Sequence, residues 1–309
     1  MTDRPRVTIM GGTGFIGRPL CRAFLDAGFS VNSFGRTHRK DRQGGDLMTY
    51  SACRIEDTDA VIAAIEHSDL IVHLVNTTVP GSSMADVGFD ISSNLLPNVQ
   101  WMNRLNETEV KRVIFVSSGG TVYGVTEPRA IDESSPTNPI TAYGVTKLAL
   151  EKYLRILADR NGVELVIARP SNIYGIGQNF KSGQGLVGVF IDRILRGEAI
   201  KVWGDGSTVR DYLSLQDFCA AILGLASYTG EHALFNVSSG VGVSVRDVLS
   251  CIEAHLGELR GIEYLPARNF DVPYNVLSSK RLFEATGWQP KIAFEAGVAE
   301  MIDQMKRDL

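Results

Sequence analysis

The chain has 309 residues, 44% of them apolar and 21% charged, with a formal net charge of −4. That length suits one large domain or two closely joined ones, and the composition excludes disordered and fibrous classes. The acidic balance argues against a nucleic-acid partner, which calls for a basic face.

Cys21, Cys53, Cys219 and Cys251 form no C-x-x-C pair, which suits reduced thiols in a cytoplasm better than a disulfide frame or a metal site. The apolar run at the N-terminus is too short for a signal peptide, and no apolar stretch approaches the ~20 residues that span a bilayer. A soluble, cytoplasmic protein with no metal and no membrane partner is expected.

Strand-like and helix-like segments alternate through the first half. "RVTIM" (6–10) reads as a strand, "PLCRAFLDAG" (19–28) as a helix stopped by Gly28, and "SVNSF" (30–34) as a second strand. Helix 59–68 and strand 69–75 follow. Segment 89–105 reads as a helix bent at Pro97, 112–118 as a strand, 142–162 as a long helix closed by Gly162, and "ELVIARP" (164–170) as a buried strand. This alternation predicts an α/β fold, a doubly wound parallel sheet with helices on both faces. Beyond about residue 174 glycine-rich loops surround shorter elements. A first domain over 1–174 and a smaller α/β substrate domain over 175–309 are expected, with the chain returning to the first around 208–236.

"MGGTGFIG" joins the first strand to the first helix. Gly11, Gly14 and Gly17 stand at G-x-x-G-x-x-G spacing, with Phe15 and Ile16 between the last two. Such a turn lets the backbone approach a pyrophosphate, and the helix N-terminus offers it free N–H groups. A bare glycine triplet is a weak signal; its place between strand and helix makes it a dinucleotide loop.

"AYGVTK" places Tyr143 and Lys147 four residues apart, on one face of a helix. A free tyrosine titrates near 10, too high for a base at neutral pH, and a neighbouring ammonium is expected to lower that value. The lysine can also bond a ribose. Downstream of a dinucleotide loop, the pair reads as catalytic rather than as surface decoration.

With "SSGGTVYG" (117–124), "RPSNIYG" (169–175) and "GDGSTVRDYLSLQD" (204–217), these motifs resemble the extended short-chain dehydrogenase/reductases. Within them the likeness is to the UDP-galactose 4-epimerase group, from about residue 6 to about residue 290. The resemblance implies a Rossmann-type first domain, a bound nicotinamide dinucleotide and a nucleotide-sugar substrate. Tyr143 then becomes the base and Lys147 the ribose ligand. Asp46 and Leu47 fall near adenine, and Ser117 falls at the cofactor. Asn172 and Arg210 match residues that hold the diphosphate. "ARNFD" suggests Arg268 on phosphate and Asp271 on the uridine ribose. The segment 76–83 is expected over the nicotinamide and sugar.

This chain departs from the pattern at Gly119, where relatives commonly carry serine or threonine. Thr121, or else Ser118, is then the hydroxyl partner of the tyrosine, with backbone or water as the alternative. The Asp–Glu pair that 4,6-dehydratases use as extra acid and base is replaced by Gly120 and Thr121, which argues against elimination. The resemblance implies a 4-epimerase acting through a transient 4-keto sugar. Alternatives are a nicotinamide-dependent reductase of the same family and a non-catalytic dinucleotide sensor. It also implies a homodimer paired through helices 89–105 and 143–160, with a second apolar face marked by Leu148 and Leu154 against Leu150 and Leu157.

"FGRTHRK" (34–40) ends the second strand without the acid that normally bonds the adenosine ribose. Gly35 replaces it, and Arg36, Arg39 and Lys40 could attract a 2′-phosphate. The chemistry favours NAD, with Asn32 and Ser33 able to bond a 2′-hydroxyl; the loop favours NADP. NAD is the expected cofactor, with NADP the alternative.

Overall fold

The protein is described by a computed structural model over residues 4–37, 47–178, 185–268 and 271–308. The chain begins β1 (Arg6–Met10), α1 (Gly17–Asp26), β2 (Ser30–Gly35), β3 (Met48–Ala52), α2 (Thr58–Ile65) and β4 (Leu70–His73). It continues α3 (Pro80–Ser83), α4 (Val87–Asp90), a π-helical turn (Ile91–Leu95) and α5 (Leu96–Met102). Then come β5 (Arg112–Val116), α6 (Gly119–Val122), α7 (Ala142–Asn161) and β6 (Glu164–Pro170). The remainder is β7 (Asn172–Tyr174), α8 (Leu186–Leu195), β8 (Ile200–Trp203), β9 (Val209–Ser214), α9 (Leu215–Ala226) and β10 (Leu234–Val237), followed by β11 (Gly242–Ser244), α10 (Val245–Leu256), β12 (Ile262–Leu265), β13 (Tyr274–Asn275), α11 (Lys280–Thr286) and α12 (Phe294–Arg307).

Seven strands form one parallel sheet in the order β10-β6-β5-β4-β1-β2-β3. Strands covered on both faces read as mainly apolar runs, as "RVTIM" and "ELVIARP" do. One face packs Leu20 and Phe24 of α1 against Phe218, Ile222 and Leu225 of α9. The other packs Val61 and Ile65 of α2, Trp101 of α5 and Leu150, Leu154 and Leu157 of α7. Strand order reverses between β1 and β4, and in such sheets ligands settle outside the carboxyl ends of the strands at that point.

β9 is the hub of a second sheet, pairing with β11, β13 and β7, while β12 and β8 form a separate parallel pair. Helices α8, α10 and α12 enclose this part's own core, built on Phe190, Ile191, Val248, Ile252, Val298 and Ile302. The chain crosses back to the large sheet through α9 and β10. It returns again through α11 and Trp288, whose side chains join the α1–α9 core, a second crossing absent from the sequence reading.

Three expectations are corrected. β3 was not foreseen, because an edge strand reading "MTYSA" is only half-buried and carries no apolar run. Segment 89–105 is not one helix bent at Pro97. The irregularity precedes the proline, which sits in the first turn of α5 after the π turn. A proline has no N–H to return to the carbonyl four residues back, and a π turn absorbs the mismatch. Leu154 lies in the same buried core as Leu150 and Leu157 rather than on a second face. The second apolar face is instead Val145, Tyr153 and Ile156 of α7, 49–63% exposed, continued by Phe89, Ile91 and Leu96.

Among the described residues no helix is long and apolar enough to cross a membrane. The four cysteines are free.

Candidate active site

A cavity of about 500 Å³ opens between the carboxyl ends of the large sheet and the smaller part. Phe15 and Ile16 of the glycine loop, Asn76 and Pro80, Ser117, Ser118, Thr121, Tyr143 and Lys147 line it. So do Asn172, Trp203, Arg210, Arg268 and Asp271. Residues scattered over most of the chain thus share one space.

The glycine loop has the form that a pyrophosphate requires. Gly11 adopts φ +93°, open to glycine and costly for other residues. A Cβ on Gly17 would stand 2.1 Å from Gly11 O and 2.6 Å from Gly12 Cα, so only glycine lets α1 pack this close to the turn. α1 starts without a side-chain cap and without an acidic residue in its first turn. Its amides and dipole are therefore left to an anion. These features fit a dinucleotide.

α7 presents the Tyr–Lys pair. Thr141 caps the helix by accepting from Gly144 N at 3.2 Å, and Ser83 Oγ accepts from Tyr143 N at 3.0 Å. Lys147 Nζ donates to Val116 O at 3.1 Å and lies 5.8 Å from the centre of the Tyr143 ring. The electrostatics depart from expectation. Burial pushes the Tyr143 phenol up to about 12, with Ser118 pulling it down by a hydrogen bond and Asp90 raising it further. Burial also brings Lys147 down to about 8, against the opposing pull of Glu151 and Asp90. Desolvation is thus the largest influence on both groups.

Ser118 and Thr121 both line the cavity together with Tyr143. Thr121 Oγ1 is buried with no hydrogen-bond partner at the cavity wall, a group poised for a ligand oxygen. Gly119 O accepts from Asn275 Nδ2 at 3.2 Å, and its Cα faces the protein interior.

Arg210 Nη1 donates to Val209 O at 2.9 Å, and burial lowers the guanidinium's pKa from its ordinary value. Arg268 grips Asp271 through two hydrogen bonds of 2.8 and 2.9 Å and stacks over Trp203 at 5.1 Å. Asn172 Nδ2 donates to Asp211 O at 3.0 Å. Arg36 is exposed beyond the end of β2, and Leu47, 37% exposed, precedes β3. Asp46, Arg39 and Lys40 lie outside the described residues. Asn32 is unavailable to a ribose: its amide donates to Ala64 O and Thr8, and its oxygen accepts from Thr49 and Ser51. Ser33 is buried, 1% exposed.

Two buried carboxylates escaped the sequence reading. Glu151 accepts from Ser117 Oγ at 2.5 Å and from Arg169 at 2.5 and 2.9 Å. Its spacing, four residues after Lys147, extends the Tyr–Lys face and was the available signal. Asp90 accepts from Thr146 at 2.5 Å and from Thr78. Nothing local marks it, because its partners come from other elements.

A model of the NAD dependent epimerase/dehydratase family matches residues 7–238. The chain belongs to this family. The UDP-glucose 4-epimerase of Mycolicibacterium smegmatis is 30% identical over 96% of this chain and 97% of its own. The dTDP-4-dehydro-6-deoxyglucose reductase of Escherichia coli is 27% identical over 97% of each. Among solved structures, the UDP-glucose 4-epimerase of Thermotoga maritima, with UDP-glucose, superposes with a TM-score of 0.90 at 26% identity, covering 98% of this chain and 99% of that one. The Thermus thermophilus UDP-glucose 4-epimerase, in complex with NAD, gives 0.89 at 28% identity, covering 98% and 100%. The family is NAD-dependent, and the sheet order and glycine loop here are those of its Rossmann-type fold.

Proposed function

We propose that the chain is a nucleotide-sugar 4-epimerase that inverts C4 of a UDP-hexose through a transient 4-keto sugar. One observation carries the reading: Tyr143 and Ser118 line the same cavity as the guanidinium pair Arg210 and Arg268. A sugar nucleotide with its diphosphate on the arginines would set its hexose toward the tyrosine.

The large sheet then carries the dinucleotide, and the smaller part carries the nucleotide sugar. Gly11, Gly14 and Gly17, with the start of α1, hold the pyrophosphate. Lys147, anchored on Val116 O, has hydrogens left for the ribose. What the nicotinamide supplies when bound is a hydride acceptor and donor at C4, and a positive charge that favours the Tyr143 phenolate. Tyr143 takes the proton of the sugar 4-hydroxyl and later returns it. Thr121 offers its unsatisfied hydroxyl to the same oxygen. Arg210 and Arg268 keep the diphosphate fixed while the 4-keto sugar turns its opposite face, Arg268 exchanging part of its grip on Asp271 for phosphate. Asp271 is then free for the uridine ribose, and Asn172 adds a donor at the diphosphate. The test is incubation with UDP-glucose and UDP-galactose, followed by NMR of the sugar anomeric protons. Interconversion without added reductant supports the reading; no product, or consumption of NAD(P)H in proportion to product, rejects it.

A second reading, a reductase of a keto-sugar nucleotide, uses the same tyrosine and lysine. It is favoured by the missing acid at Gly35 and by the likeness to the Escherichia coli reductase. We also propose a homodimer joined through the exposed apolar strip on α4, α5 and α7, and a cytoplasmic location consistent with free thiols.

A further inference from the structure

We propose that the end of β2 is an anion subsite for a 2′-phosphate on the adenosine ribose, so that this chain binds NADP as well as NAD. The inference rests on the reading that the glycine loop holds the cofactor's adenosine half.

The loop and the end of β2 form one surface. Met10 pairs with Phe34 in the parallel β1–β2 register, and Gly11 N and Gly12 N both donate to Phe34 O, at 2.9 and 3.0 Å. Residue 35 therefore emerges directly beside residues 11–13. In this fold an acidic side chain at that place bonds the 2′-hydroxyl and repels a 2′-phosphate. Here no acid can stand there as the loop is built. A Cβ on Gly35 would meet Thr13 Oγ1 at 2.6 Å and Thr13 Cγ2 at 3.2 Å. The threonine fills the space that a carboxylate would need.

Two arginines belong to the same two segments. Arg36 is exposed and makes no hydrogen bond or ion pair with the described residues. Arg18, on the first turn of α1, is held to the loop by donating from Nε to Thr13 O at 2.9 Å. The first turn of α1 carries no acid to offset them. Of the alternative ligands for a plain 2′-hydroxyl, Asn32 is hydrogen-bonded to four other groups, and Ser33, whose Oγ has no partner, is buried out of reach of solvent. A guanidinium held on Thr13 O and a second arginine next to Gly35 in sequence, with the repelling carboxylate excluded by packing, can serve a phosphate dianion.

Calorimetric titration of nucleotide-free protein with NAD and NADP tests this. NADP is expected to bind as tightly as NAD or within about tenfold of it, and Arg36→Ala should weaken NADP by about tenfold to hundredfold while changing NAD less than about threefold. Adenosine 2′,5′-bisphosphate should outbind adenosine 5′-monophosphate in the wild type and lose that advantage in Arg36→Ala. The double variant Thr13→Gly, Gly35→Asp, which adds the acid and makes room for it, should bind NAD in preference to NADP. The proposal is overturned if wild-type protein binds NADP more than about a hundredfold more weakly than NAD, or if Arg36→Ala weakens both equally. It is also overturned if inorganic phosphate binds as tightly as the bisphosphate, which would mark a site for a free anion. If neither dinucleotide binds, the cofactor reading of the glycine loop falls with it; if NAD alone binds, only the subsite does.

Discussion

Leu277 Cδ1 stands 2.3 Å from the point where a Cβ on Gly119 would lie, and the carbonyl oxygens of Arg169 and Pro170 close the same point at 3.0 and 3.1 Å. The position where relatives commonly carry a hydroxyl is thus filled from behind by a buried leucine. Gly119→Ser should not add a hydroxyl to the site; it should push on Leu277 and on backbone. Overpacking of this kind costs about 1–3 kcal/mol. Urea denaturation is expected to show that loss, with no gain in turnover; a variant as stable as the wild type would show that the backbone yields freely there.

Tyr143→Phe removes one oxygen from the cavity wall and leaves the α7 backbone untouched. Turnover should fall by about 10²–10⁴-fold, the usual contribution of a general acid–base group. Cofactor binding and melting temperature should change little. A purified variant that retained more than about a tenth of the wild-type rate would remove the tyrosine from the role of base.

His73 supplies a pH dependence of stability. Its Nε2 donates to Asn98 Oδ1, and its ring lies between Trp101 at 5.7 Å and Phe115 at 5.5 Å. Burial holds it neutral and pulls its pKa down to about 4, helped by the Lys147 charge. An unfolded histidine takes its proton near 6.5, so between there and about 4 the unfolded state binds the extra proton. Stability is complete above that window and is lost as pH falls through it. At pH 5 the loss from this one group is about 2 kcal/mol relative to pH 7.5. Chemical denaturation at the two pH values should show it, and His73→Gln should flatten the difference; an unchanged slope in the variant would assign the effect elsewhere.

The apolar strip predicts assembly. Ile156 is 63% exposed in line with Tyr153 and Val145, beside Phe89, Ile91 and Leu96 of the neighbouring helices. A soluble monomer rarely leaves so continuous a patch open. Sedimentation at micromolar concentration should give a dimer. Ile156→Glu, which places a charge at an already exposed position, should give a folded monomer. A monomeric wild type would remove the interface.

Local sequence determined the elements whose information is local. β1 and β6 run over the mainly apolar stretches 6–10 and 164–170 because strands buried on both faces need mostly apolar residues. α7 ends at Gly162, φ +65° and ψ +28°, because a left-handed cap favours glycine. Gly11 to Gly17 and the Tyr143–Lys147 spacing were legible for the same reason: each is a short motif whose geometry is fixed within a few residues. Tertiary structure decided what depends on neighbours from elsewhere in the chain. That Gly119 is closed from behind follows from how α6 packs against β6 and Leu277. How far a tyrosine or a lysine departs from its ordinary pKa depends on its desolvation, and burial raises Tyr143 and lowers Lys147. Asn32 was lost to the cofactor because β3, an edge strand with no apolar signature, brought Thr49 and Ser51 onto it. Spacing along a chain specifies which side chains share a face. Only packing across the sheet sets their solvation and their partners, and those two quantities govern the chemistry.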